Sequence, residues 1–255
     1  MEIKKFTFLV KGSCVCIARG WLNAVKKIAS LKNFSLIYDT CKELLKEIKF
    51  DFRKGELYIL GFSEDRTLQM ELTCKVEVET PKVVILGREV FKKFSFDEMD
   101  FYDADDHIIA IHGNMEGKLR PDDPRTSRMP TDPYKIKWDS WNLNEIKFTV
   151  DELKQLLNLI KGEVMSMDFI IKSGRLTMTL DISESKFSIF KEDIDPKIDC
   201  AVTVSTDLIA DGLKMYNKFK EFTMFIGTDV PLLVKMSNAD LKVDILIAPR
   251  IKAAQ

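Results

Sequence analysis

"FIIKSGRLTMTLDISE", residues 169–184, decides how this chain folds. It reads as an apolar strand, a polar turn closing on Gly174, Leu176 two residues later, and a second strand ending in Ser-Glu. Glycine at such a turn supplies the positive φ of a tight hairpin. The same order occurs in "FDFRKGELYILGFSE", residues 50–64, where Gly55 stands 119 residues before Gly174 and is followed by Leu57. A helical pattern precedes each copy, "CKELLKEI" (41–48) and "TVDELKQLLNLIKG" (149–162). A second follows each, "LGREVFKKFSF" (86–96) and "STDLIADGLKMYNKFKEF" (205–222), with Phe94 and Phe219 125 residues apart. Two echoes in one order at nearly one offset predict a duplicated α+β unit: strand, helix, strands, helix, strands.

Between the halves, residues 118–143 hold Pro121, Pro124, Pro130 and Pro133 among Asp, Thr and Ser. Proline cannot donate to a sheet ladder and steers its predecessor away from helix, so this stretch reads as an extended connector. The expected organisation is a first domain over 1–120, a connector over 121–143, and a second domain with a C-terminal tail over 144–255. Residues 1–31 form a longer N-terminal part without a counterpart in the second half. There "KKFTFLV" and "SCVCIARGW" read as strands and "LNAVKKIASL" (22–31) as a helix.

The chain has 255 residues, 45% hydrophobic and 31% charged, enough for two cores. A net charge of -1 and a pI near 6.2 confine any nucleic-acid contact to a local patch. Five cysteines without a CxxC pair, and only His107 and His112, give no metal-ligand spacing, so the thiols read as reduced core residues of an intracellular protein. The N-terminal apolar run is broken at Lys11, too short for a secretory signal, and no membrane span is expected. No phosphate-cradling glycine loop, zinc-protease motif or nucleophile elbow appears, so neither catalysis nor a cofactor is expected. The acidic stretch "DEMDFYDADDH" (97–107) is the one candidate for a hard cation; its alternation around Met99 and Phe101 also reads as a strand with an acidic turn.

The helical segments share a pattern. In 149–162, Leu153, Leu156, Leu157 and Ile160 fall on one face, Lys154, Asn158 and Lys161 on the other, and Thr149 with Glu152 spells a capping box. Over 207–219, Ile209, Leu213 and Tyr216 read inward, Lys214 and Lys218 outward. The earlier pair offers Lys42 and Lys46, then Arg88, Lys92 and Lys93. Lysines are the ordinary covering of a solvated helix face. Their recurrence in four equivalent helices also suits a surface that meets DNA phosphates without reading bases.

The closing stretch "GTDVPLLVKMSNADLKVDILIAPRI" (227–251) ends apolar, as a tail docked on its own domain would. It resembles the end of the proliferating cell nuclear antigen family, the sliding clamps of DNA replication, through Val230-Pro231-Leu232 and Ile247-Ala248-Pro249-Arg250-Ile251. "GFSEDRTL" (61–68), with Phe62 and Arg66, departs from that family's pattern after the first hairpin. The resemblance implies duplicated DNA-clamp domains, each with two helices packed on antiparallel β-sheet, assembling into a ring, usually a homotrimer. It implies no enzymatic activity, but a processivity factor that encircles double-stranded DNA, is opened by a clamp loader, and tethers DNA polymerase, nuclease and ligase for replication and repair. The DNA-facing residues would be the nine cations named above. Partners would bring short apolar-aromatic peptide motifs to a pocket of Met129, Pro130, Tyr134, Pro231, Ile247, Ala248, Pro249 and Arg250. The compartment would be cytoplasmic and nucleoid-associated in a prokaryote, nuclear in a eukaryote. Two alternatives remain at this point: a subunit of a hetero-oligomeric or checkpoint clamp or a monomeric viral processivity factor, and, more remotely, a small metal-dependent hydrolase using Asp105 and Asp106.

Overall fold

A computed structural model of the chain describes residues 25–32, 34–41, 47–87, 97–104, 107–113, 115–121, 141–162, 165–182, 185–192 and 194–250. The first half runs β1 (Lys26–Leu31), α1 (Phe34–Cys41), β2 (Glu47–Arg53), β3 (Glu56–Phe62), β4 (Leu68–Lys75), β5 (Lys82–Gly87), β6 (Met99–Asp103), β7 (Ile108–His112) and β8 (Met115–Leu119). The second runs β9 (Asn144–Phe148), α2 (Val150–Leu159), β10 (Ser166–Lys172), β11 (Arg175–Ile182), β12 (Ser185–Lys191), β13 (Cys200–Ser205), α3 (Thr206–Gly212), a 3-10 turn at Tyr216–Lys218, β14 (Glu221–Ile226), β15 (Leu232–Ser237) and β16 (Leu241–Ile247). Strand for strand, β1–β8 recur as β9–β16.

The two hairpins that announce the repeat close alike. Arg53 faces Glu56, and Lys172 faces Arg175, across two-residue loops. Gly55 and Gly174 sit at φ 84 and 80, where a side chain would be strained. Each half then builds the same two four-stranded units: β1-β6-β7-β8 answers β9-β14-β15-β16, and β5-β2-β3-β4 answers β13-β10-β11-β12. One seam fuses two of them. β4 pairs antiparallel with β16, from Leu241 opposite Cys74 to Ile247 opposite Leu68, giving an eight-stranded sheet ordered β5-β2-β3-β4-β16-β15-β14-β9.

A single register row shows how that sheet holds. Ile146, Met224, Val234, Ile245, Met70, Gly61, Ile48 and Leu86 follow one another across all eight strands on one face, every one of them buried. Fully burying such aliphatic side chains contributes about 1.5–3 kcal/mol each, and the period-2 alternation of the strands is what gathers them. Helix α3 lies against this face at the seam. A Cβ built on Gly212 would stand 3.3 Å from Ile245 Cγ2, so the glycine permits the close approach.

Three local readings give way. Residues 22–31 read as helix, yet Lys26–Leu31 is a strand pairing with β6 across a bulge between Lys27 and Ala29; burial of Ile28, Ala29 and Leu31 overrides local propensity. The first helix is α1, earlier than 41–48: Cys41 is its last residue and Glu47 and Ile48 already belong to β2, with 42–46 outside the described residues. The helix expected through Phe219 stops at Gly212, and the chain tightens into the 3-10 turn. The segment 86–96 begins with Leu86 and Gly87 in β5 and continues outside the described residues.

Candidate functional site

Helix α2 is built as its sequence dictates. Thr149 Oγ1 accepts from the Glu152 amide at 3.2 Å, and the Thr149 amide donates to Glu152 Oε2 at 2.7 Å, completing the capping box. Leu153, Leu156 and Ile160 are buried, and Lys154, Asn158 and Lys161 are exposed on the other side. Glu152 also takes the Lys191 ammonium of β12. Burial raises the Glu152 carboxyl, but these hydrogen bonds outweigh it and leave it below the usual carboxylate range. Helix α2 packs beside the 3-10 turn Tyr216–Lys218; Lys154 lies in the helix and Lys218 in the turn, Lys161 follows the helix and Lys214 precedes the turn, and all four are exposed.

The chain leading into Lys214 and Lys218 also carries exposed acids. Asp207 and Asp211, one helical turn apart, are exposed on α3 while Ile209 is fully buried behind them. Burial first, then the Asp207 charge, pushes the Asp211 carboxyl above its ordinary value. Asp151 opens α2 in the same way. For Asp151 and Asp207 the signal was present in the sequence, since acids in a first turn complement the macrodipole; Asp211 lies in the last turn of α3, where that reason does not apply. The described helix α1, Phe-Ser-Leu-Ile-Tyr-Asp-Thr-Cys, contains no cation. Lys42, Lys46, Arg88, Lys92 and Lys93 lie outside the described residues.

The tail is docked. The Ala248 amide donates to the Thr67 carbonyl at 2.8 Å and the Arg250 amide to the Thr203 carbonyl at 2.8 Å. Pro249 forms a bridge with Val204, and the Arg250 guanidinium donates to Ser166 Oγ at 2.7 Å. Three residues therefore tie the end of β16 to the β3–β4 turn on one side and to β13 and β10 on the other. Pro231, Ala248 and Pro249 remain half-buried and Arg250 exposed; at the end of β3, the Phe62 ring lies 5.4 Å from the Arg66 guanidinium carbon. Ile247 departs from the expectation that it lines a surface pocket. It is fully buried between Leu232 and Leu68, because its place in the strand alternation turns it to the core face. Met129, Pro130 and Tyr134 lie outside the described residues.

The carboxylates of the 97–107 stretch have structural partners: Asp100 meets Lys27 at 3.3 Å, Asp103 meets Lys82 at 2.8 Å, and Asp97 Oδ1 accepts the Ser35 hydroxyl. Among the described residues no group of three or more His, Cys, Asp or Glu could hold a metal ion. Asp105 and Asp106 lie outside them.

No family model matches the sequence. Solved structures do match the fold. The A. fulgidus proliferating cell nuclear antigen bound to the C-terminal region of FEN-1 superposes with a TM-score of 0.73 at 12% identity, over 89% of this chain and 100% of that one. The Thermococcus kodakaraensis antigen gives 0.69 at 18%, over 88% and 100%. The PCNA2–PCNA3 complex of Sulfolobus tokodaii gives 0.66 at 18%, over 87% and 98%. This chain has the sliding-clamp fold.

Curated relatives matched by sequence are of another kind: a rice DEAD-box ATP-dependent RNA helicase at 23% identity over 239 residues, and two from Arabidopsis thaliana at 22%. The chain spans about half the length of these relatives, covering 50% of each. Every strand pair among the described residues is antiparallel, and the sequence contains no phosphate-binding glycine loop followed by Lys-Ser/Thr.

The two smaller sheets end in β1 and β8 and in β12 and β13, and of these four end strands β8 and β12 carry exposed large apolar side chains. Both expose apolar groups, Met115 at 49%, Phe187 at 46% and Phe190 at 51%. In the repeat, β8 corresponds to β16 and β12 to β4, the two strands that form the seam within the chain.

Proposed function

We propose that this protein is a DNA sliding clamp: copies close into a ring around duplex DNA and hold replication and repair enzymes near their substrate. The observation that carries the reading is the seam. The chain pairs β4 with β16 internally and presents the equivalent strands, β12 and β8, as edges with exposed apolar side chains. A β12 edge meeting the β8 edge of the next copy would repeat the same junction. Such a head-to-tail contact generates a ring when its rotation closes, and a homotrimer with two clamp domains per chain, 1–120 and 144–255 joined by 121–143, is the form we favour.

In this reading Lys154, Lys161, Lys214 and Lys218 face the phosphates, with Lys42, Lys46, Arg88, Lys92 and Lys93 as their counterparts in the first half. Contact is weak and blind to sequence, and topology rather than affinity retains the ring. The docked tail, through Pro231, Ala248, Pro249 and Arg250, with Met129, Pro130 and Tyr134 of the connector, receives the apolar-aromatic motifs of polymerase, clamp loader, nuclease and ligase. The chain contributes no catalysis; it raises the local concentration of its partners.

Light scattering tests the ring and DNA titration the lining. A solution mass about three times the 29.4 kDa chain mass is expected. Replacing the four described lysines with alanine should flatten the salt dependence of duplex binding, by up to about 0.9 in log–log slope for each phosphate no longer neutralised. A single-chain mass together with an unchanged slope overturns the proposal.

A further inference from the structure

Lys214 and Lys218 stand close along the chain to two exposed carboxylates. Asp207 and Asp211 occupy the exposed side of α3, and Lys214 and Lys218 follow on exposed positions as the chain tightens. The Lys214 amide donates to the Asp211 carbonyl at 3.2 Å, so acid and base adjoin along the backbone. What acts on the Asp211 carboxyl is burial and the Asp207 charge, two influences of one sign. Asp207 Oδ1 accepts the Leu208 amide at 2.9 Å, which holds its charge in the first turn of α3. Asp207, Asp211, Lys214 and Lys218 thus stand within twelve residues of chain, all exposed.

We propose that Asp207 and Asp211 limit affinity on the DNA-facing surface: they repel the phosphates that the adjacent lysines attract and keep the ring's grip on duplex loose. This rests on the sliding-clamp reading and deepens it, because it names residues that set how tightly the lining holds. Helix stabilisation alone is the competing account of the same two acids. It predicts a change in melting temperature and none in DNA binding.

The experiment titrates the full-length protein with a labelled 30-base-pair duplex at several salt concentrations, for wild type, Asp207→Asn/Asp211→Asn, Lys214→Ala/Lys218→Ala, and Asp195→Asn in the β12–β13 loop. Asparagine preserves the amide acceptor and the side-chain shape. Asp211→Asn alone serves if the double variant melts early. The expected result is binding tightened roughly three- to tenfold at low salt in the Asp207/Asp211 variant, fading at high salt as screening shortens the reach of the charge. Asp195→Asn should move it much less. Unchanged or weaker binding in the Asp207/Asp211 variant, with the lysine variant still weakened, overturns this inference and leaves the clamp reading standing. If neither variant moves the affinity, this surface does not face DNA, and both fall.

Discussion

Asp65 and Asp244 are two aspartates of one sheet system whose environments act in opposite directions. Asp65 accepts from Thr67 Oγ1 and Ser63 Oγ, each at 2.7 Å, and from the Thr67 amide at 3.1 Å. These bonds favour the charged form and hold the carboxyl below its ordinary value. They also fix the turn whose Thr67 carbonyl receives the tail at Ala248. Asp244, opposite Glu71 across the seam, is raised chiefly by burial, with Lys235 at 3.6 Å working against the rise. The depressed Asp65 contributes stability that is complete above its unfolded value, about 3.9, and is lost as pH falls through the folded value. The raised Asp244 subtracts stability at neutral pH, and the penalty fades as pH falls from its folded value toward about 3.9. Urea denaturation from pH 7 down to about pH 3 should therefore show Asp65→Asn less stable than wild type at pH 7, converging in acid, and Asp244→Asn equal or more stable at pH 7. Matching pH profiles for the two variants would contradict this assignment.

Among the elements, α2 and α1 mark the limits of local reading. The capping box, the buried Leu153–Leu156–Ile160 stripe and the exposed lysines of α2 stand where spacing places them, because each signal lies within a turn or two of chain. Replacing Thr149 with alanine should cost about 1 kcal/mol, since it orphans the Glu152 amide and frees Glu152 from half of its box. Thermal melting would register that as a drop of roughly 2–4 °C for a chain of this size. Helix α1 escapes such reading. Phe-Ser-Leu-Ile-Tyr-Asp-Thr-Cys holds weak helix formers, whereas the neighbouring "CKELLKEI" holds strong ones. What makes α1 a helix is its anchorage: the Phe34 amide reaches the Asp97 carbonyl at 2.8 Å, and the Phe34 ring meets Phe101 edge-on at 5.7 Å. Those partners lie more than sixty residues away.

For the whole molecule, the decisive feature is a junction formed once inside the chain by β4 and β16, which the proposed ring would repeat between copies through β12 and β8. Phe187 projects from the edge strand β12 and is nearly half exposed, so a charge there should leave the chain folded and spoil only an assembled edge. Phe187→Lys is expected to bring the solution mass down toward 29.4 kDa with an unchanged circular dichroism spectrum, and to abolish duplex binding with it. A mass that stays multimeric would place the interface elsewhere. Among the described residues no helix is long and apolar enough to cross a membrane.

The sequence alone determined the features that short windows encode: two hairpins turning at Gly55 and Gly174, the capped helix α2, the duplicated order of elements, and an apolar tail made to dock. Backbone sterics, caps and periodicity act over a few residues, so they are legible without a partner. Tertiary structure decided the rest. Lys26–Leu31 became a strand because β6 was there to pair with it, and α3 ended at Gly212 where it meets Ile245. Ile247 went to the core rather than the surface, and Leu72 found Val243 across 171 residues of chain to make the seam. Such choices depend on which distant surface is available to bury a side chain, and no local pattern contains that information.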